Sequence, residues 1–268
     1  MSADTSTSTS TAAGTYAPKP GAAPVGRMIA AQAALETKML LRNGEQLLLT
    51  VVIPSLLLVL FSTVSIVDFG DTGSGEAVDF LAPGVLALAV MSTAFTGQAI
   101  ATGFERRYGV LKRLGASPLP RWALMTAKTL SVLVTEVLQI ALLTAIALAL
   151  GWSPQGNPLS VLLLLVLGTA AFSGLGLLMA GTLKAEATLA AANLVFLLLL
   201  VGGGVVVPLD KFPEAAQSVL GLLPISALSD GLRDVLQGGA SMPWGAAGVL
   251  AVWAALGLGA AARFFRWE

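Results

Sequence analysis

Residues 103–122 read GFERRYGVLKRLGASPLPRW. Five basic residues, Arg106, Arg107, Lys112, Arg113 and Arg121, stand against one acid, Glu105, so the stretch carries a net charge of +4. Long runs of Leu, Val and Ala lie on either side of it. Dense positive charge between two apolar runs marks a loop joining membrane spans.

The rest of the chain agrees. Its 268 residues are 56% hydrophobic and only 11% charged, against about 25% charged in an ordinary soluble domain. Mean hydropathy is +0.84. Net charge is zero, so the chain is not built to bind nucleic acid. Cysteine and histidine are both missing. That excludes disulfides, thiolate and imidazole metal sites, and Cys/His or Ser/His/Asp catalysis. The length suits one membrane domain and leaves no room for a second globular one.

A span needs roughly 20 apolar residues to cross a hydrocarbon core of about 30 Å. Six stretches qualify: 47–67, 80–103, 122–150, 159–181, 188–208 and 243–264. The third is long enough to project into the cytosol, where Lys128 is expected to snorkel. Residues 1–26 are rich in Ser, Thr, Ala, Gly and Pro, lack periodicity, and read as a disordered cytosolic tail without signal-peptide character. In 27–46, Met28, Ala31, Leu35 and Met39 recur at helical spacing, with Glu36, Lys38 and Arg42 off that stripe. An amphipathic helix on the membrane surface fits, as does a plain extension of the next helix. Residues 47–268 then form the six-span domain.

Thirteen of the fifteen basic residues fall on one side of this arrangement, leaving Lys211 and Arg233 on the other. That poorer side carries eight acids: Asp68, Asp71, Glu76, Asp79, Asp210, Glu214, Asp230 and Asp234. The positive-inside rule places both termini in the cytosol of a cell membrane. An even number of spans requires the same.

Between the last two spans, residues 209–242 read LDKFPEAAQSVLGLLPISALSDGLRDVLQGGASM. The segment is too polar for a span and too patterned for a loop. Pro213 suits a helix start. Ile225, Leu228, Leu232 and Val235 repeat at helical spacing beyond a break at Pro224. Two short helices, dipping into the outer leaflet or lying on it, are expected. Gly202, Gly203 and Gly204 precede them, and two readings stand: a weakened helix end, or close packing in lipid.

No Gly-x-x-x-x-Gly-Lys-Ser/Thr phosphate loop occurs, so uphill movement would need an ion gradient or a partner. Ser173, in FSGLGLL at 172–178, has no histidine to serve it as a base. Glu136 is the only carboxylate deep within a span, with Gln139 one turn on. Buried ionisable groups in membranes are costly and often functional; a hydrogen-bonded carboxyl that glues helices is the competing reading. In 103–114, Phe104, Val110, Leu111 and Leu114 alternate with the charges, and Pro118 and Pro120 stop the segment. A short helix across the cytosolic face is expected, able to dock into a soluble partner or to hold anionic lipid.

FERRYGVLKRLGASPLPRWALMTAK (104–128) closely resembles the hallmark loop of type-2 ABC exporter permeases, in which Phe-Glu-Arg-Glu/Arg-x-Gly-Thr-Leu-x-x-Leu-x-x-(Thr/Ser)-Pro precedes the third span. LRNGEQLLLTVVIP (41–54) is similar to that family's entry into its first span. Residues 202–236 look like its fifth span and external re-entrant hairpin. Val110 departs from the usual Thr, and Ile225-Ser226 from the usual Thr-Tyr. The resemblance covers about residues 30–266. It implies an all-α membrane protein with six spans, an N-terminal interfacial helix, a cytosolic coupling helix and an external re-entrant helical hairpin. Two permeases, identical or different, would assemble with two cytosolic ABC ATPase subunits. ATP and Mg would sit on the ATPase, and this chain would hold no cofactor, no metal and no catalytic group of its own. Arg107, Tyr108, Val110, Leu111, Lys112, Arg113 and Leu114 would couple to the ATPase, and Glu105 and Arg106 would form the cytosolic gate. The resemblance implies export of an amphiphilic cargo such as a drug, antibiotic or lipid. A non-transporting scaffold or sensor anchor is the alternative from another class; a secondary carrier would show more intramembrane charge than Glu136 alone.

Overall fold

Helix-forming Leu, Ala and Met fill the chain, and proline and glycine punctuate it. The computed structural model describes residues 23–44, 48–63, 74–115, 118–205, 213–239 and 241–266, and among these all regular structure is helical. α1 spans Val25–Arg42. A π-helical segment, Leu48–Val52, leads into α2 (Ile53–Thr63). α3 (Ser74–Val90) passes through a second π segment, Met91–Gly97, into α4 (Gln98–Arg107). Then come α5 (Val110–Gly115), α6 (Arg121–Ala149), α7 (Pro158–Thr182), α8 (Ala185–Gly202), α9 (Glu214–Leu220), α10 (Pro224–Leu236) and α11 (Trp244–Phe264).

Five helical runs among the described residues are long and apolar enough to cross a membrane: Ala77–Arg107, Trp122–Ala149, Pro158–Thr182, Ala185–Gly202 and Trp244–Phe264. The expected first span is represented by a shorter apolar helix, Thr50–Leu60; residues 64–67 lie outside the described part. So does most of the expected N-terminal tail, although α1 starts at Val25, two residues before the expected interfacial helix. α6, at 29 residues, is about 43 Å long at the usual helical rise.

The run Ala77–Arg107 forms the centre, with 89% of its most apolar window buried, whereas the same measure is 17% for Ala185–Gly202. A helix apolar on every side belongs inside other helices. Val78, Leu81, Leu88, Val90, Met91 and Phe95 are almost wholly enclosed. Elsewhere the lipid side is legible as leucine: Leu194, Leu197, Leu198 and Val201 on α8 stay exposed.

The most extensive helix contact joins α7 to α11. Small residues permit it, as they do generally between helices in lipid. A Cβ added at Gly174 would lie 2.5 Å from the Leu258 nitrogen and 2.7 Å from the Gly257 carbonyl carbon, both backbone atoms. α7 begins where the Asn157 side chain accepts a hydrogen bond from Leu159 N at 2.9 Å, with Pro158 at the first helical position.

Residues 213–236 take the two-helix form expected of that segment, with Pro213 capping α9 and Pro224 opening α10. Ile225, Leu228, Leu232 and Val235 of α10 have no exposure, and the helix packs against α3, α7 and α11. Both readings of the glycine triplet apply. Gly204 adopts φ +67°, which ends α8, while a side chain on Gly203 would collide with Ile225.

Gly174→Ala forces two backbones apart. Overpacking of this kind costs about 1–3 kcal/mol, so its thermal midpoint in detergent is expected to fall well below wild type. Gly248→Ala, where an added Cβ meets nothing within 4 Å, should leave the midpoint unchanged or raise it slightly.

Candidate functional site

α6 is polar along one stripe. Lys128, Ser131, Thr135 and Gln139 follow one another at three- or four-residue spacing, and all four are buried. A buried ammonium demands counter-charge. Lys128 Nζ finds Glu105 Oε2 of α4 at 2.5 Å and Glu36 Oε1 of α1 at 3.5 Å. Gln32 Nε2 donates to Glu36 Oε1 at 2.8 Å, one turn earlier on α1. Burial pushes the Glu36 carboxyl above its ordinary range, opposed by the charge of Lys128 and the hydrogen bond from Gln32. The expectation that Lys128 snorkels to the cytosol is therefore corrected: with two carboxylates at hand, the ammonium turns inward.

The same contacts revise the picture of α1. Ala33 and Glu36 are its buried residues, and this face lies against α6. Leu35 and Met39, from the stripe expected to lie in the membrane surface, remain exposed. The helix thus has a polar inner seam and an apolar outer edge.

About three turns beyond Lys128, Gln139 ties both π segments to α6. Its Nε2 donates to the Thr50 carbonyl, and its Oε1 accepts from Thr93 Oγ1 at 2.7 Å. π-helical turns leave carbonyls in non-ideal positions, and side chains can re-satisfy them. Glu136, one turn before Gln139, reaches a different neighbour, α7. Its Oε2 is 2.6 Å from Thr169 Oγ1 of α7, and its Oε1 is buried without a partner.

α4 runs out at Arg106 and Arg107. Arg106 Nη2 donates to the Leu183 carbonyl between α7 and α8, and Arg107 pairs with Glu186 of α8. The Arg107 guanidinium also lies 5.8 Å from the ring centre of Tyr108, which stacks on Phe104. Glu105 and Arg106, expected together at a gate, diverge: one joins Lys128, the other the α7–α8 junction. Across the turn and α5 the expected coupling residues divide. Leu111 has no exposure and Leu114 is half-buried, whereas Tyr108, Val110, Lys112 and Arg113 face outward.

On the opposite end, Arg233 of α10 is clasped from several directions. Nη2 donates to the Val205 carbonyl at 2.9 Å, Nε to the Phe80 carbonyl at 3.3 Å, and Nη1 pairs with Asp230 at 2.9 Å. The Phe80 ring lies 3.9 Å from the guanidinium carbon. Gly84 leaves room for this: an added Cβ would sit 2.9 Å from Nη2. Glu36, Gln32, Thr50, Thr93, Thr169 and Arg233 are the site residues that sequence reasoning did not select. The polar spacing along α6 was a visible signal for partners on neighbouring helices.

A buried charge cluster, an exposed turn at 107–114 and an all-helical architecture among the described residues thus occur in one chain. Residues 30–236 match the ABC-2 type transporter model, and the chain belongs to that family. It is a transporter permease, a multi-pass membrane subunit that is not itself an ATPase. It is 27% identical over 216 residues to a Bacillus subtilis (strain 168) protein named "Putative transport permease YvfS", covering 78% of this chain and 85% of the relative.

Lys128→Met leaves two neighbouring carboxylates without their cation. Breaking a buried pair this way costs about 3–5 kcal/mol. Glu105→Gln, which leaves Lys128 with Glu36, should cost less. Thermal unfolding in detergent is expected to rank wild type above Glu105→Gln and Glu105→Gln above Lys128→Met. Adding Glu36→Gln and Glu105→Gln to Lys128→Met should recover part of the loss.

Proposed function

We propose that this chain is the permease of an ATP-driven exporter that moves an amphiphilic cargo outward across the cytoplasmic membrane. The supporting observation is the turn at 107–114. Its outward residues, Tyr108, Val110, Lys112 and Arg113, sit at the end of the deeply buried Ala77–Arg107 run. A cytosolic ATPase that seats against them would act on the centre of the bundle through a single helix. ABC-2 permeases associate with an ABC ATPase, and ATP and Mg belong to that partner. A second permease, identical or not, completes the machine, with lipid around both.

In this reading six spans put both termini in the cytosol, with Thr50–Leu60 as the core of the first. α1 rests at the membrane surface and the α9–α10 hairpin closes the outer end. Arg106 and Arg107, held by Leu183 and Glu186, fix the cytosolic end of α4 to the α7–α8 junction. Glu105 couples that end to Lys128.

Exposed apolar groups dominate the docking energy. Burying a side chain the size of valine contributes about 1.5 kcal/mol or more, and a surface charge pair about 0–1 kcal/mol. Val110→Asp should therefore release the ATPase from the complex purified from native membranes, while leaving the permease's thermal midpoint near wild type. Lys112→Ala with Arg113→Ala should weaken the complex mildly. Leu111→Asp should lower the midpoint, because Leu111 is buried within the chain itself. An ATPase that stays bound to the Val110→Asp permease would overturn the assignment of the joint.

Topology has a separate test, made clean by the lack of native cysteine. In intact cells an impermeant thiol reagent is expected to modify Glu214→Cys and to miss Lys112→Cys. The reverse pattern would invert the orientation.

A further inference from the structure

A cavity of about 160 Å³ lies beside the Lys128 cluster, walled by α1, the two π segments, α4 and α6. Glu36, Glu105, Lys128, Gln98, Ser131 and Thr135 are among its lining residues. Its volume equals the share of about five water molecules in the liquid. That is room for a polar head group and a short stem.

Three observations define what fits. The first is charge: two carboxylates face one ammonium, a surplus of one negative charge when both acids are ionised. The second is an underused acceptor. Ser131 Oγ lies 2.9 Å from the Lys128 carbonyl and 3.5 Å from Glu36 Oε2. A hydroxyl has one proton to give, and the shorter contact takes it. Glu36 Oε2 is left with a long approach and spare acceptor capacity. The third is Gln98. It is 6% exposed, lines the cavity, and neither its amide oxygen nor its nitrogen has a hydrogen-bond partner. An unpartnered buried amide costs about 1–3 kcal/mol, and a ligand that meets it recovers that cost. The rest of the lining mixes polar groups, Asn43, Thr50, Thr93 and Thr102, with an apolar strip formed by Met39, Leu40 and Val132.

We infer that this cavity binds the primary ammonium head of an alkyl amine, with Glu36 and Glu105 supplying the counter-charge, Gln98 accepting an N–H, and the stem lying along Met39, Leu40 and Val132. An anion would meet the surplus carboxylate, and a neutral alcohol would leave it unmatched. The site is distinct from the ATPase-facing turn and does not depend on transport.

The test uses the full-length chain in phosphatidylcholine nanodiscs without an ATPase. Thr135→Cys and, separately, Thr102→Cys place a single thiol on the cavity wall. Both react with 2-aminoethyl methanethiosulfonate, and octylammonium is added as protectant beside octanol and octanoate. Octylammonium is expected to protect at a concentration lower by about tenfold or more, equivalent to about 1.4 kcal/mol, than either same-length control. Adding Glu36→Gln, or Gln98→Leu, should remove that preference. Equal protection by all three compounds would show an apolar crevice only and overturn the proposal. So would failure of both thiols to react, which would mean a closed cavity, or a preference that survives Glu36→Gln and Gln98→Leu alike.

Discussion

An ammonium buried to 4% exposure cannot be left alone in a membrane protein. Lys128 meets this demand with carboxylates from two separate helices, and the demand fixes the end of the bundle where α1, α4 and α6 meet. α1 must lie against α6 so that Glu36 can reach, which turns an apparently peripheral helix into part of the bundle. α4 must present Glu105 toward α6, and that orientation sends Arg106 and Arg107 the other way, to Leu183 and Glu186. One lysine thus sets the rotation of two helices about their axes, a specification that apolar packing alone leaves loose.

Deeper in the bundle, backbone chemistry takes over. Non-ideal helix in an apolar setting needs side chains to accept or donate where the ladder is disturbed. Gln139 does this for two π segments at once, through Thr50 and Thr93. Its amide carries both a donor and an acceptor, so one residue can serve a carbonyl on one strand of the bundle and a hydroxyl on another. At the end that holds α10, Arg233 plays a similar part and joins α10 to Phe80 and Val205. Each end of the bundle therefore has a buried cation acting as a clasp, and the middle has a neutral amide.

The helical class, five of the span positions and the two short helices at 214–236 were legible in the sequence because length, apolar runs and their breaks encode them directly. The breaks at Pro213 and Pro224 were legible because proline's missing N–H restricts where it can stand. The glycines at 174 and 203 encode close approach, but their partners lie far along the chain. Leu111 shows the limit best. Alternation of apolar and charged residues at 110–114 located an amphipathic turn, yet it did not distinguish the apolar side chain packed inside from the one facing out. Only the direction in which α4 ends decides that Leu111 is enclosed and Val110 exposed. Likewise the stripe of 128, 131, 135 and 139 announced a polar face without naming Glu36 as its partner, since residues nearly a hundred positions apart share no local pattern.

Glu105 and Arg107 stand two residues apart on one helical turn, and they face different parts of the molecule: the buried cluster and the α8 surface. Under the proposed function, a push on the exposed turn at Tyr108 and Val110 would rotate or shift α4 as a unit, because the helix continues unbroken into the central run. Such a shift strains two contacts together. The Arg107–Glu186 pair is solvent-exposed on both sides and yields at little cost. The Glu105–Lys128 pair is shielded and resists far more strongly. In that reading the motion of α4 would be steered: the exposed contact would give way, the shielded one would carry α6 and α1 along, and the cavity between them would change shape with the helices that line it.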